Sequence, residues 1–450
     1  MKESSKMFEE EKIESLLLKI SIPLIISILI SELYSMVDTF FIGRNVGAQG
    51  IGALVLVFPI QRIIIALSFM IATGTSTAFA RSNGQENMER SRKIVNNGFS
   101  LSIGIMIALT IIIYLFTDKI LIALGASPRI LAYARDYLNI VILGSTFLSL
   151  SIFISNIMVS LGNNKIAIVN NTIGAIINII LDYILVVHMK IGVKGAAIAT
   201  TVSQIIGFIY AYYHYGKIKK EYGIHTGFRL NKNIIIPILA VGISAFIVEA
   251  EDAIVIAVFN NLLLNTVGDQ GIVILGIISK IYMFLFITMF GVASAMQPIA
   301  AYNVGAKNYL RLKELVKKTA VYALISSGIL WALSMVFTPQ LISIFVDEEN
   351  IIEEAILAFR IMVSVFPLIS IYYVSIFYYQ SLGEPRTSIL VSIFRQLTIM
   401  TPIAIILVKI FNLGAIGVWI SYPIADILSS VVTFILMKKE IREMNSNIES

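Results

Sequence analysis

The stretch GAQG at residues 47–50 returns as GDQG at residues 268–271, 221 positions further along a chain of 450. Working outward at the same displacement, Gly84 meets Gly305, Asn87 meets Asn308 and Arg90 meets Arg311. Phe116-Thr117 meets Phe337-Thr338, Leu161-Gly162 meets Leu382-Gly383, and Lys165 meets Arg386. One residue more, at 222, superposes Gly192-x-x-Gly195 on Gly414-x-x-Gly417. A set of matches at one spacing marks an internal repeat, and a repeat decides architecture before any single motif does.

Each copy of the repeat is built for lipid. Of the residues 57% are hydrophobic and 14% charged, against about 25% charged in a soluble protein, and the mean hydropathy is +0.87. Apolar runs of the length that crosses about 30 Å of hydrocarbon as a helix fall at 16–41, 51–80, 94–117, 130–160, 166–188, 195–215, 233–262, 271–300, 319–338, 354–381, 387–408 and 415–437. The fold class is therefore all-α integral membrane, with twelve transmembrane helices. The domains expected are an N-terminal lobe at 1–216, a linker rich in Lys and turn formers at 217–232, and a C-terminal lobe at 233–450. Six helices per copy make the copies parallel repeats about an axis along the membrane normal. Such repeats belong to secondary transporters with sites near the midplane.

With the N-terminus inside, the inside segments hold 23 of the 34 Lys and Arg and the outside segments six, as the positive-inside rule requires. Both termini are then cytoplasmic, and the net charge of +6 reflects topology rather than a nucleic-acid partner. The charged start, residues 1–15, leads into the first helix without a small-residue cleavage site and reads as an amphipathic lead-in, not a cleavable signal. A chain without cysteine has no thiol nucleophile, disulfide or thiolate metal site. No Gly-x-x-x-x-Gly-Lys-Ser/Thr loop is present to cradle ATP. His188, His214 and His225 form no zinc-binding pair, and the expectation is that the protein is not an enzyme and carries no cofactor. What remains is transport driven by an ion gradient, or transport that needs none.

Charged groups at membrane depth are costly and mark functional sites. The acids there are Glu32, Asp38, Asp182, Glu249, Glu251, Asp252 and Asp426. Ser31, Tyr34, Ser35 and Asp38 share one face of the first helix, and Asn171, Asn178 and Asp182 share one face of the fifth. Two carboxylates among hydroxyl and amide oxygens suit Na⁺, and buried carboxyls can equally hold a proton near neutral pH. At the 221 displacement Asp38 meets Phe259 and Asp182 meets Ile403, so the ion chemistry is expected in the N-terminal half. The C-terminal half is expected to supply mostly apolar and aromatic wall: Tyr372, Tyr373, Phe377, Tyr378 and Tyr379 to stack on cations, and Met283, Met289 and Met296 to adapt to varied shapes. With Tyr34, Glu32, Glu249 and Asp252, the residues Met283, Met289, Tyr373 and Phe377 form the candidate substrate cavity. Lys280 is the expected salt-bridge partner of the Glu249, Glu251 and Asp252 cluster, and Asp426 and Arg395 are expected to be structural.

Glu32 and Tyr34 followed by Val37-Asp38-x-x-Phe41-x-Gly43, then Ala80-Arg81-x-x-Gly84, Leu161-Gly162-Asn163-x-Lys165, Asn178-x-x-Leu181-Asp182 and Gly195-Ala196-Ala197-x-Ala199-Thr200, resemble the multidrug and toxic compound extrusion (MATE) transporters. Gln297-Pro298-Ile299-x-x-Tyr302-Asn303-x-Gly305-Ala306 looks most like the bacterial branch with staphylococcal-type pumps. The resemblance runs end to end. It implies two six-helix lobes, a central cavity that alternates between faces, and efflux of organic cations or drugs against inward Na⁺ or H⁺, by a monomer in the bacterial cytoplasmic membrane. By matching motifs it implies Asp38, Asn178, Asp182, Thr200 and Asn156 as the coupling-ion site, with Asp38 and Asp182 as Na⁺ ligands if sodium drives export. Val159 stands where the family usually has a basic residue, and Tyr183 where a proline often follows the helix-five acid. A lipid-linked oligosaccharide flippase of the same superfamily is the runner-up, and a membrane sensor or assembly protein without transport is the reading from another class.

Overall fold

A computed structural model describes residues 7–124, 126, 128–223, 230–345 and 349–449. Twelve helices long and apolar enough to cross a membrane follow one another. They are α1 (Ile13–Asn45), α2 (Ala48–Gly84), α3 (Met88–Ala123), α4 (Pro128–Ser160), α5 (Asn164–Asp182), α6 (Val193–Tyr222), α7 (Lys232–Val267), α8 (Asp269–Gly305), α9 (Tyr309–Val336), α10, α11 and α12 (Gly414–Glu449). Helix α10 is made of Glu349–Met362 and Ile369–Leu382 around a 3₁₀ turn at Phe366–Leu368, and α11 of Pro385–Ile393 and Thr401–Lys409 around a π-helical segment at Phe394–Met400. A second π-helical segment, Tyr183–His188, continues α5. All twelve expected spans are present.

The repeat is written into the backbone. Gly47 and Gly268, at φ +86° and +72°, cap α2 and α8 in a conformation that L side chains rarely adopt. Asn87 and Asn308 cap α3 and α9, each side-chain oxygen accepting from the backbone N–H of an arginine three residues on, Arg90 and Arg311. Helical geometry breaks at Phe116 and again at Phe337, and the threonine after each turns its hydroxyl back to a carbonyl four residues earlier. The repeated residues found by sliding the chain on itself are thus the capping and turning positions, whose chemistry is fixed by backbone hydrogen bonding rather than by lipid.

Two compact units are present, Met1–Glu10 with Ile26–Glu249, and Glu11–Ile25 with Ala250–Ser450. The break lies inside α1 and α7 rather than in residues 217–232, of which 224–229 lie outside the described residues. Residues 11–25 and their repeat counterparts 232–246 therefore each pack with the other copy's helices. In the first unit the contact is backbone on backbone. A Cβ at Gly74 of α2 would stand 2.1 Å from the Ile238 carbonyl oxygen of α7, and one at Gly242 of α7 would stand 2.0 Å from the Met70 carbonyl oxygen of α2. Small residues permit this approach in a membrane, where packing replaces the hydrophobic effect as the force between helices. Gly74→Val is expected to lower stability by about 2–3 kcal/mol through forced separation of α2 and α7, read as a lower thermal midpoint in detergent. The same change at Gly216, whose added Cβ meets nothing within 4 Å, should cost little.

The core of the first unit fills around Ile42, Val57, Tyr137, Leu138 and Val186 at one level and around Phe79, Phe153, Ile157, Tyr215 and Ile238 at another. Large apolar side chains such as Ile111, Leu115, Ile325 and Leu333 stay exposed, as outer faces must where the solvent is lipid.

Candidate cation site

In the first unit four helices bring polar groups to one buried point. Helix α1 contributes Asp38, and α4 contributes Tyr137, whose hydroxyl donates to Asp38 Oδ2 at 3.3 Å. Helix α5 contributes Asn178 and, one turn on, Asp182. Thr200 of α6 accepts from Asn178 Nδ2 at 3.4 Å. The polar face of α5 continues along the helix, since the Asn171 amide donates to the Ser27 hydroxyl of α1. Of the polar stripe expected on α1, Asp38 is the member whose side chain is described, and it lies with Asp182 of α5.

Asp182 is the last residue of α5 before the chain widens into the π-helical segment. The turn that follows is tight: Lys190 and Gly192 lie at φ +54° and +69°, and the Ile191 N–H donates to the Leu185 carbonyl at 2.9 Å. A Cβ at Gly195 would meet that carbonyl at 3.1 Å, so α6 starts hard against the π-helical segment. This fixes Thr200 beside Asn178.

Asp38 is 7% exposed, and Asp182 and Asn178 are fully buried. The carboxyl groups of Asp38 and Asp182 interact with each other. Among the described residues no N–H or hydroxyl donor reaches Asp38 Oδ1, either Asp182 oxygen or Asn178 Oδ1. Four buried acceptor oxygens without donors are costly, and two ionised carboxylates sharing a buried site repel each other. An oxygen-rich, donor-poor pocket of this kind fits a hard cation or a proton, either of which removes both penalties.

Tyr137 is absent from the sequence-derived candidates. It stands 99 positions from Asp38, and its one signal is that the repeat places Ala358 opposite it. Tyr137→Phe removes a long hydrogen bond to a carboxylate and is expected to raise the half-saturating concentration of the coupling cation about 3- to 10-fold, leaving the maximal rate near wild type. Asn156 donates to the Ile152 carbonyl of its own helix at 3.0 Å and is half-buried. The side chains of Glu32 and Tyr34, with Ser31 and Ser35, lie outside the described residues.

At the same repeat positions the second unit is apolar and aromatic. Phe259, the counterpart of Asp38, packs edge-on to Tyr422, the counterpart of Thr200 at 222, with ring centroids 5.7 Å apart. Ile399 and Ile403 stand for Asn178 and Asp182. The second unit also holds a buried polar cluster away from those positions. Arg395 Nε donates to Asp426 Oδ1 at 2.7 Å and its Nη2 to the Tyr282 hydroxyl at 3.0 Å. Gln396 Nε2 donates to Glu251 Oε1 at 2.8 Å and Asp252 Oδ1 at 2.9 Å. The π-helical segment of α11 carries both donors. Lys280, expected to pair with the α7 acids, is exposed on α8, and Gln396 takes that place.

The remaining cavity candidates have packing partners. Tyr373 meets Phe286 and Phe290, and Phe377 meets Phe290, all edge to face. Met289 is fully buried, Met283 half-buried. Glu249 is half-buried where the first unit ends on α7.

The MatE family model matches residues 23–184 and 253–406. The chain is similar to Multidrug export protein MepA of Staphylococcus aureus strain MSSA476, at 25% identity over 441 residues, 96% of this chain and 94% of that protein. It is similar also to Multidrug export protein MepA of Staphylococcus haemolyticus strain JCSC1435, at 24% identity over 446 residues and 98% of each. Among solved structures, one described as MATE in the bent conformation superposes with a TM-score of 0.92 at 23% identity over 99% of both chains. An outward-facing multidrug resistance MATE family transporter of the MOP superfamily gives 0.92 at 23%, over 98% of this chain and 99% of its own.

Proposed function

Since this chain belongs to the MatE family of multidrug efflux transporters, we propose that it exports small organic cations, drugs among them, in exchange for Na⁺ or H⁺, and that Asp38 and Asp182 bind the coupling ion. The observation that carries the reading is the buried carboxyl pair, three of whose four oxygens lack a donor among the described residues. A cation arriving there joins α1 to the end of α5 and cancels the repulsion between the two acids, so the loaded and empty states of the first unit favour different packings. A ligand shifts an equilibrium only by its differential affinity for the two states, and this site supplies one. The basic loops support cytoplasmic termini, with the protein in the cytoplasmic membrane of a bacterium.

The test is reconstitution of the full chain in vesicles and measurement of ethidium export under an imposed Na⁺ gradient, then under a pH gradient. Export under one gradient and not the other names the ion. No export of ethidium or of a panel of organic cations under either gradient overturns the antiport reading and moves weight to a lipid-linked substrate.

A further inference from the structure

The repeat also shows what the first unit omits. At the 221 displacement Gly174 of α5 meets Arg395 of α11, and at the 222 shared by α6 and α12, Gln204 meets Asp426. At this level the second unit holds a cation of its own, the Arg395 guanidinium, against a buried acid. The first unit has no side chain on α5 to fill that place and offers a neutral amide from α6. A Cβ added at Gly174 would come no closer than 3.9 Å to its nearest neighbour outside the α5 backbone, the Ser203 carbonyl oxygen.

Acceptor oxygens stand at that level on α6 and one turn to either side on α5. Asn178 and Asn170 are each four residues from Gly174 and share its helix face, and Asn170 is 5% exposed. Among the described residues no N–H or hydroxyl donor reaches Asn170 Oδ1, Gln204 Oε1 or Asn178 Oδ1. Asn170 donates its Nδ2 to the Ser151 hydroxyl of α4 at 2.9 Å, which leaves its oxygen toward α6, where a Cβ at Gly207 would stand 2.8 Å from it. A Cβ at Gly144 of α4 would stand 2.2 Å from the Gln204 oxygen. Glycines on two helices thus make room for oxygens that no donor satisfies.

We infer that the first unit holds a second station for the coupling ion at Gly174, Gln204 and Asn170, on the cytoplasmic side of the carboxyl pair, and that this ion is Na⁺. The inference rests on the antiport reading. With cytoplasmic termini α5 runs outward, so Asn170 lies about 18 Å inward of Asp182 at 1.5 Å per residue. An ion released by the pair toward the cytoplasm has that depth of hydrocarbon to cross. Neutral amide and carbonyl oxygens coordinate a hard cation, whereas an amide has no site that takes up a proton near neutral pH. Conduction needs sites favourable enough to enter and weak enough to leave, and a station without formal charge meets that need beside a pair of carboxylates.

The experiment uses the full chain in vesicles and, in parallel, purified in detergent. Gln204→Met removes the oxygen at similar volume, and Gly174→Arg with Gln204→Asp rebuilds the second unit's ion pair in the gap. Each is expected to lower the maximal rate of Na⁺-driven ethidium export at least about 10-fold, while the Na⁺ concentration giving half the melting shift, which reads the carboxyl pair, stays within about 2-fold of wild type. An amide that serves packing alone would move the melting midpoint and leave that rate unchanged. Gln204→Glu gives the station a charge and should raise the radiolabelled Na⁺ bound per purified chain by one ion. Wild-type rates in both of the first two variants, a Na⁺ count that Gln204→Glu leaves unchanged, or wild-type export under a pH gradient alone overturns the inference and leaves the antiport reading standing. If the wild type exports nothing under either gradient, the antiport reading fails and the Gln204→Glu count decides the station by itself.

Discussion

Asp38→Asn and Asp182→Asn are each expected to abolish gradient-driven export while leaving the folded protein at least as stable as wild type in the absence of the coupling ion. The physical basis is that asparagine ends the repulsion between two buried carboxylates and offers its neighbour an N–H donor, satisfying oxygens that receive none in the wild type. The same substitution deletes the charge that makes cation binding worthwhile. In a one-for-one exchange of monovalent cations no net charge crosses, so a tenfold ion gradient, about 1.4 kcal/mol, sustains at most a tenfold drug gradient. In either variant that ratio should fall to one, with facilitated leakage at most. The matching equilibrium measurement is melting against Na⁺ concentration and against pH. A ligand at 100 times its dissociation constant stabilises the folded state by about 2.7 kcal/mol, so the wild type should melt higher with the ion that drives export, and neither variant should respond. Export at wild-type level from Asp38→Asn would remove the pair from the coupling step.

The second large effect belongs to stability. Arg395→Met is expected to cost about 3–5 kcal/mol, the loss seen when one partner of a buried ion pair is removed and the other is left charged in a low-dielectric interior. Arg395 is 3% exposed and Asp426 fully buried, and Glu251 lies buried close by, so loss of the guanidinium strands two acids in the core. Asp426→Asn should cost less, because the amide oxygen of the substituted side chain still accepts from Arg395 and Tyr282 still offers its hydroxyl oxygen. Arg395→Met with Asp426→Leu should recover most of the loss. Thermal midpoints of the two single variants and the double give the coupling directly, and additive losses would mean that the ion pair contributes nothing as a pair.

Fold was legible in the sequence because lipid imposes a single strong requirement: about 20 apolar residues at a time. The helices nevertheless outrun their apolar cores. Helix α9 begins at Tyr309 rather than near 319 because Leu312, Leu315 and Val316 bury one face of a turn whose other face carries Lys313, Lys317 and Lys318. Asp38, Asn178 and Asp182 were legible as acids and amides on shared helix faces, and Thr200 through family resemblance. Tyr137 was not, since a phenol in a membrane helix reads as packing until its partner on another helix is known. The Arg395–Asp426 and Gln396–Glu251 contacts were beyond sequence for the same reason, aggravated by a π-helical segment that changes which residues of α11 face inward. The break inside α1 and α7 leaves no trace in hydropathy, because every neighbour of a membrane helix is equally apolar.

The aromatic pair Phe259 and Tyr422, where the first unit has Asp38 and Thr200, makes this chain a heterodimer joined end to end: two copies of one repeat, only one of which carries the carboxyl pair. That specialisation is hard to reverse. An acid placed at 259 alone buries a charge where Phe259 is fully buried and where the repeat has Ala358, Ile399 and Ile403 for Tyr137, Asn178 and Asp182, and a buried charge without a partner is costly. A cation site in the second half therefore takes several replacements made together rather than one.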